Sequence, residues 1–300
     1  MSGKTVNSAI LLLIIGNALA IVSDIFIKLM EPGAPVFQFT FVRSALTLVL
    51  LLPLLGMVDR SRPFEGLGIH ALRAHIHMIG VLCMVVALTT LPLATANAVF
   101  YVAPVIVMLL SVLLFRERLT PLSVLAVFSG FAGVVVILRP VELGWGAIAA
   151  LGAAAALATS AVLVRKLPKS QSTVHKLFLN YGLMLPATLA LALWEGATWT
   201  WTIAGHALGS AVFILGYNVA VLMAYKHVDA GQVTSAEYTG LVWAIAIGWI
   251  WFNEIPDIWF VVGSTMIVVP LIMIGLNQHR KRPAVQNHPL VDSKYHSPES

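Results

Sequence analysis

The sequence predicts an all-α polytopic membrane protein, with ten transmembrane helices arranged as two inverted five-helix repeats around a central cavity. Three observations predict it. Hydrophobic residues make up 59% of the 300 positions and charged residues only 10%, where a soluble domain carries roughly a quarter charged. Apolar runs able to cross about 30 Å of hydrocarbon recur ten times, at 8–30, 35–55, 74–91, 94–115, 121–138, 144–164, 176–194, 206–225, 231–252 and 257–277. A shift of 137 residues, the spacing of Glu117 and Glu254, then lays the first five runs on the last five.

In chain order, the first run has a short basic start at Lys4, as a signal peptide would. It also carries Asn17 and Asp24 and is followed by nine further spans, so it is read as a retained helix. Links are short; "TTLPLA" at 89–94 joins the third span to the fourth and makes them an antiparallel hairpin. Cys83, the single cysteine, lies inside the third span and has no internal disulfide partner. The sixth span places Gly152, Ala156 and Ser160 at four-residue spacing, which permits close helix approach. Beyond 277 the chain turns polar, with Pro283, Pro289 and Pro298. The expected units are residues 1–140, residues 141–277 and a disordered cytoplasmic tail at 278–300.

Lysine and arginine in short loops stay on the cytoplasmic side. With the N-terminus inside, only Lys28 and Arg139 of the 18 basic residues fall outside, and Arg43 lies within the second span. Both termini are therefore expected in the cytoplasm. Trp145, Trp194, Trp199, Trp201, Trp249, Trp251 and Trp259 gather at the opposite ends, as an interfacial aromatic belt does. The net charge of +5 follows from this topology and from membrane lipid, with no call for nucleic acid.

The shift also lays Ser23 on Ser160, Lys28 on Arg165, Phe41 on Phe178, Ala87 on Ala224, Tyr101 on Tyr238 and Phe115 on Phe252. Five helices per copy is an odd number, so the second copy must enter the membrane from the other side. Inverted repeats are a plan of secondary transporters, with a midplane substrate site and alternating access. "FRERLT" and "FNEIPD" close the fourth and ninth spans on opposite faces. Arg116 and Arg118 beside Glu117 are then a topology signal, and Glu117 and Glu254 are expected to cap their helix ends by bonds to the following turn.

The segment "FQFTFVRSAL" with Arg43, the segment "LATANAVFYVAPVIVMLLSVLLFRERLT" and its partner "AEYTGLVWAIAIGWIWFNE" resemble the EamA branch of the drug/metabolite transporter superfamily, over residues 8 to 277. The resemblance implies a permease of the bacterial inner membrane that needs no cofactor, usually an exporter of amino acids or other small metabolites. It implies a cavity lined by the first, third, fourth, sixth, eighth and ninth helices. The functional unit is expected to be a monomer, with a weak dimer as the alternative. Many relatives carry proline in both repeats. Here Pro104 is matched by Leu241, so the ninth helix is expected to be straighter than the fourth.

A charged side chain at membrane depth costs about 2.5–3.5 kcal/mol unless it faces the bundle interior, so each is a candidate. Asn17, Asp24 and Lys28 share one face of the first helix. Asp24 and Lys28, four apart, either neutralise one another or contact substrate. Asn97 and Tyr101, with Phe100 beside them and Pro104 continuing the face, match Thr234 and Tyr238 on the ninth span. These are expected to line a shared cavity. Glu237, between Ala236 and Tyr238, is the candidate for proton coupling, with a helix–helix hydrogen bond or salt bridge as the structural alternative. Tyr217, Asn218 and Trp243 add polar-tipped aromatic surface, and Ser160 and His77 add polar groups to the same cavity. Lys28, Arg43, Pro104, Glu117 and Glu254 are structural or gating candidates. His75 and His77 are about 200° apart on a helix and cannot share a metal ion; His70 and His75 are expected to be solvated at the cytoplasmic end.

Three function classes follow: a secondary exporter of small metabolites, an importer or facilitator for a vitamin or nucleoside derivative, and an intramembrane enzyme. Against the third, the chain has no paired aspartate motif, H-E-x-x-H, G-x-S-x-G or phosphate-cradling glycine loop. Energy, if used, must come from a gradient.

Overall fold

The computed structural model describes residues 5–30, 33–58, 62–116, 118–139, 144–168, 170–225, 236 and 238–281. Among them every regular element is helical. The α-helices are α1 (Val6–Lys28), α2 (Val36–Leu51, continued by a 3-10 turn at Leu52–Met57), α3 (Leu67–Thr90), α4 (Leu93–Phe100), α5 (Ala103–Phe115), α6 (Pro121–Leu138), α7 (Trp145–Val164), α8 (Thr173–Glu195), α9 (Trp201–Tyr225), α10 (Thr239–Phe252) and α11 (Ile258–Lys281). Among the described residues nine segments are long and apolar enough to span a membrane, α4 and α5 together making one, and α10 is a shorter apolar helix. The protein is a multi-pass membrane protein. Its outer wall is apolar, and Trp145, Trp194 and Trp201 stand out from it at 81%, 77% and 92% exposure.

Helix starts follow local chemistry. Thr5 Oγ1 accepts from Ser8 N at 3.3 Å while Ser8 Oγ accepts from Thr5 N at 3.2 Å, a reciprocal cap on α1. Thr120 and Ser172 cap α6 and α8 by accepting from Ser123 N and His175 N. Two further starts are held from a distance. Glu195, at the end of α8, accepts from Phe37 N and Gln38 N at the start of α2, at 3.2 and 2.8 Å. Glu254, just past α10, accepts from Leu93 N at the start of α4, at 2.7 Å. A carboxylate there satisfies otherwise unpaired N–H groups and opposes the helix dipole.

Helix boundaries depart from the hydropathy reading where polar residues turn inward. α3 begins at Leu67 rather than 74 and so includes His70 and Arg73; α8 begins at Thr173, α9 at Trp201, and α11 runs on to Lys281. The fourth span is two helices, broken at Tyr101 and Val102. Pro104 sits in the first turn of α5, where its missing N–H costs nothing and its ring blocks continuation from α4.

Residues 231–235 and 237, which would decide whether the ninth helix is straighter than the fourth, lie outside the described residues. Ala236 and Tyr238 are 3-10, and α10 starts only at Thr239, the same register as the break after Tyr101. The Ala236 carbonyl accepts from Asn17 Nδ2 at 3.0 Å and from Thr239 Oγ1 at 2.7 Å. Gly240 lies so close to the Tyr101 hydroxyl that a Cβ would have no room.

The main packing pairs exchange under the 137-residue shift. α1 packs on α9 as α7 packs on α3, and α2 on α9 as α8 on α3; α2–α8 and α6–α11 map onto themselves. Small residues make the closest approaches. A methyl at Gly80 would come within 2.8 Å of Ala156 Cβ between α3 and α7, and one at Gly133 within 2.6 Å of the Gly263 carbonyl between α6 and α11. Such crossings gain dispersion contacts where lipid offers no hydrophobic drive.

Candidate substrate cavity

A cavity of about 310 Å³ lies among α2, α3, α7, α8 and α9. Arg43 enters from α2, Arg73 and His77 from α3, Ser160 from α7, Asn180 and Tyr181 from α8, and Tyr217 and Asn218 from α9; the rest of the wall is mostly Ala, Val, Leu and Ile. Arg73 and His77 are four apart, hence stacked on one face of α3. The His77 ring stands edge-on to Tyr181, centroids 5.8 Å apart. Arg43, only 3% exposed, donates through Nε to Ser210 Oγ at 2.9 Å. Ser23 Oγ lies 2.8 Å from Ser210 Oγ and donates to the Ser210 carbonyl at 3.0 Å, so Arg43 is pinned to α9 and, through it, to α1.

Four candidates, His77, Ser160, Tyr217 and Asn218, therefore reach one cavity together with Arg43. Arg73, Asn180 and Tyr181 were missed. Arg73 is a correction: it was counted among cytoplasmic loop charges, yet its Nε and Nη1 are buried. The signal was its i, i+4 relation to His77. Asn180 was signalled too, being the residue on which the shift lays Arg43.

The other candidates form a second, side-chain-filled cluster at α1, α4 and α10. Asn97 Nδ2 donates to Asp24 Oδ2 at 3.2 Å and to the Leu93 carbonyl at 3.1 Å. Asn17 Nδ2 donates to Thr239 Oγ1 at 3.2 Å as well as to Ala236 O. The Tyr101 and Tyr238 rings, which the 137-residue shift superposes and which were expected to line a shared cavity, meet each other with centroids 5.8 Å apart, and Phe100 is half-buried in the adjoining apolar core. None of these lines the cavity. Among the described residues it is bounded by the second, third, sixth, seventh and eighth spans, not the first, fourth and ninth.

The expected Asp24–Lys28 pair is absent among the described contacts. Lys28 Nζ instead reaches Glu254 Oε1 at 2.8 Å and the Leu91 carbonyl at 2.8 Å, and lies 5.4 Å from the Phe252 ring centroid. Asp24 turns to Asn97 because it is buried while Lys28 sits at the helix end. Glu254 does not cap its own helix: it holds the N-terminus of α4 and Lys28 of α1, tying three helices at one end. Beside it, Arg139 pairs with Asp257. At the opposite end Arg165 lies 4.2 Å from the Phe115 centroid and donates to Ser111 Oγ at 3.2 Å.

Two further readings are corrected. Trp243 is not among the residues lining this cavity; it is 37% exposed on α10 and its indole donates to the Ile14 carbonyl at 3.2 Å. His70 is not solvated: it is fully buried, with Nε2 2.8 Å from Gln171 Oε1. Thr234, Glu237 and Glu117 lie outside the described residues. Among the described residues no group of three potential ligands could hold a metal ion.

A profile of EamA-like transporters matches the chain twice, at residues 7–139 and 144–276. The chain belongs to the EamA-like transporter family. Among its relatives are the pseudopaline exporter of Pseudomonas aeruginosa, 24% identical over 90% of this chain and 96% of that protein, and a riboflavin transporter of Brucella anthropi, 27% identical over 79% and 86%. An S-adenosylmethionine uptake transporter of Rickettsia prowazekii is 24% identical over 90% and 93%. A solved crystal structure superposes with a TM-score of 0.57 over 92% of this EamA-like chain and all of its own, at 19% identity, a likeness of fold alone. The family is named for transporters, and these relatives as transporters of small molecules.

Proposed function

We propose that this EamA-like transporter is a secondary-active carrier that exports amino acids or similar small metabolites by alternating access. It would sit in a bacterial inner membrane with both termini cytoplasmic, its halves being five-helix repeats of opposite orientation. The observation that carries the reading is the cavity's composition: α2 and α3 of the first half and α7, α8 and α9 of the second build one polar-lined chamber. The exchange of packing pairs between halves supports rocking about a shared axis, the motion expected of such repeats. Rocking would open the filled cluster around Asp24, Asn97, Tyr101 and Tyr238 as it closes the cavity. The Lys28–Glu254 contact must part for α1 and α4 to separate at that end.

Direction is the finer step, and the relatives' names include both an exporter and an uptake transporter. A labelled amino-acid and metabolite panel, followed in right-side-out and inverted vesicles, distinguishes export from the importer or facilitator reading. Accumulation in inverted vesicles supports export; uptake only by right-side-out vesicles replaces it, and no protein-dependent flux in either sinks the carrier.

Coupling is assigned to Glu237, a carboxylate between Ala236 and Tyr238 in an otherwise uncharged stretch. Protonation and substrate binding would compete there. In proteoliposomes, Glu237→Gln is expected to leave exchange intact and abolish acceleration by an imposed pH gradient. Undiminished gradient dependence removes Glu237 from the coupling step.

A further inference from the structure

We infer that the cavity is an organic-anion site: it takes a carboxylate carried on an apolar body and favours it over an uncharged or cationic analogue. The inference rests on the carrier reading above and narrows its substrate class.

Charge balance comes first. Arg43 and Arg73 both line the cavity, and among the described residues neither has a carboxylate in ion-pair range, since the described pairs are Lys28–Glu254, Arg62–Glu65 and Arg139–Asp257. The buried carboxylate nearest in the fold, Asp24, is engaged by Asn97 and does not line the wall. A buried cation without a partner is costly at membrane depth, and positions of this kind are occupied where a ligand or pathway uses the charge.

Hydrogen-bond capacity points the same way. Among the described residues no protein group bonds Arg73 Nε, Arg73 Nη1 or His77 Nε2, all buried. Guanidinium N–H groups can only donate, in a fork that matches the two oxygens of a carboxylate. His77, one turn beyond Arg73, can add a third donor. Opposite them, Asn180 Oδ1 is also buried and unbonded, a neutral acceptor suited to a hydroxyl or amide N–H. Among the described residues no acidic side chain lines the cavity to receive an ammonium group. The remaining wall, including Val81, Met84, Leu157 and Ile214, suits an apolar body, which a small inorganic anion lacks. A carboxylate without an α-ammonium group therefore fits better than a zwitterionic amino acid.

The test uses the full-length protein in detergent, with three probes that share a ring and differ in charge: indole-3-acetate, indole-3-acetamide and tryptamine. Isothermal titration is expected to show the acetate binding at least about 10-fold more tightly than the amide, the scale of one charge-assisted hydrogen bond, and inorganic phosphate giving no heat. Arg73→Gln should erase most of that preference, weakening the acetate far more than the amide, which loses at most a neutral hydrogen bond; Arg73→Lys should keep part of it. Equal affinities, a preference for tryptamine, or no binding of any probe overturns the anion site, and the wild-type comparison decides even if Arg73→Gln does not fold. Counterflow in proteoliposomes separates the two readings. Binding of acetate without counterflow supports the site and sinks the carrier, whereas counterflow of all three probes alike keeps the carrier and overturns the site.

Discussion

The two family-matched halves repeat the same packing pairs, yet among the described residues the charge that lines the cavity belongs to one of them. Under the 137-residue shift Asp24 meets Ala161, Arg43 meets Asn180, Arg73 meets Ser210 and His77 meets Ile214. The neutral counterparts stay at the same place: Ala161, Asn180 and Ile214 line the cavity beside Arg43, Arg73 and His77, and Ser210 receives the Arg43 hydrogen bond. The second half thus supplies walls and neutral acceptors for charges the first half brings. Backbone packing can repeat because it depends on small residues and helix length. A duplicated set of charges would double the desolvation cost and surround one small chamber with like charge.

The sharpest way to break this comparison is at Arg43. Arg43→Ala loses the charged hydrogen bond to Ser210 but also an unpaired buried charge, so stability is expected to fall by no more than about 1.5 kcal/mol, the low end for a hydrogen bond to a charged group, while transport is abolished. Thermal unfolding in detergent and counterflow together check it. Moving the charge, Arg43→Asn with Asn180→Arg, is expected to restore anion binding in part but not stability, because Asn180 has no counterpart of Ser210 within reach of its own helix: the shift places Arg73 at the equivalent of Ser210. Full recovery of stability would mean that the halves are interchangeable and that the asymmetry is incidental.

A contact that does repeat is the cation on a ring at each end, Lys28 on Phe252 and Arg165 on Phe115. Their surroundings differ. Ser111, which receives the Arg165 hydrogen bond, is matched by Gly248 at the Lys28 end, and there the bond goes to the Leu91 carbonyl and Glu254. Glu254→Gln keeps an oxygen for Leu93 N but loses the ion pair. A double-mutant cycle with Lys28→Met is expected to give a coupling of about 1–2 kcal/mol, since both side chains are largely shielded from solvent. A coupling near zero would reduce the pair to a surface contact and remove it as the latch at that end.

What the sequence made legible follows from range. The polytopic helical class and a buried Arg43 could be read because hydropathy and a lone charge in an apolar run are one-dimensional signals. Arg73 was hidden because a hydropathy boundary falls just after it, although its helix continues back to Leu67. The Lys28–Glu254 and Glu195–Gln38 links join residues far apart in the chain, and no local pattern announces them. The Asn17 bond to the Ala236 carbonyl, just ahead of α10, is equally long-range.

Trp243 carries the smallest expected effect and tests the azimuth of α10. Its position far from the helix ends argued for a cavity role, but depth along a helix says nothing about direction around it. The indole is part exposed and donates to the Ile14 carbonyl of α1 instead of lining the cavity. Trp243→Phe keeps an aromatic ring and deletes one hydrogen bond, so the loss should be about 0.5–1 kcal/mol. Transport and anion affinity should not change. A fall in affinity for the carboxylate probe in Trp243→Phe, with stability intact, would place α10 in the substrate path in this state and put the cavity's boundary at α1 rather than α3.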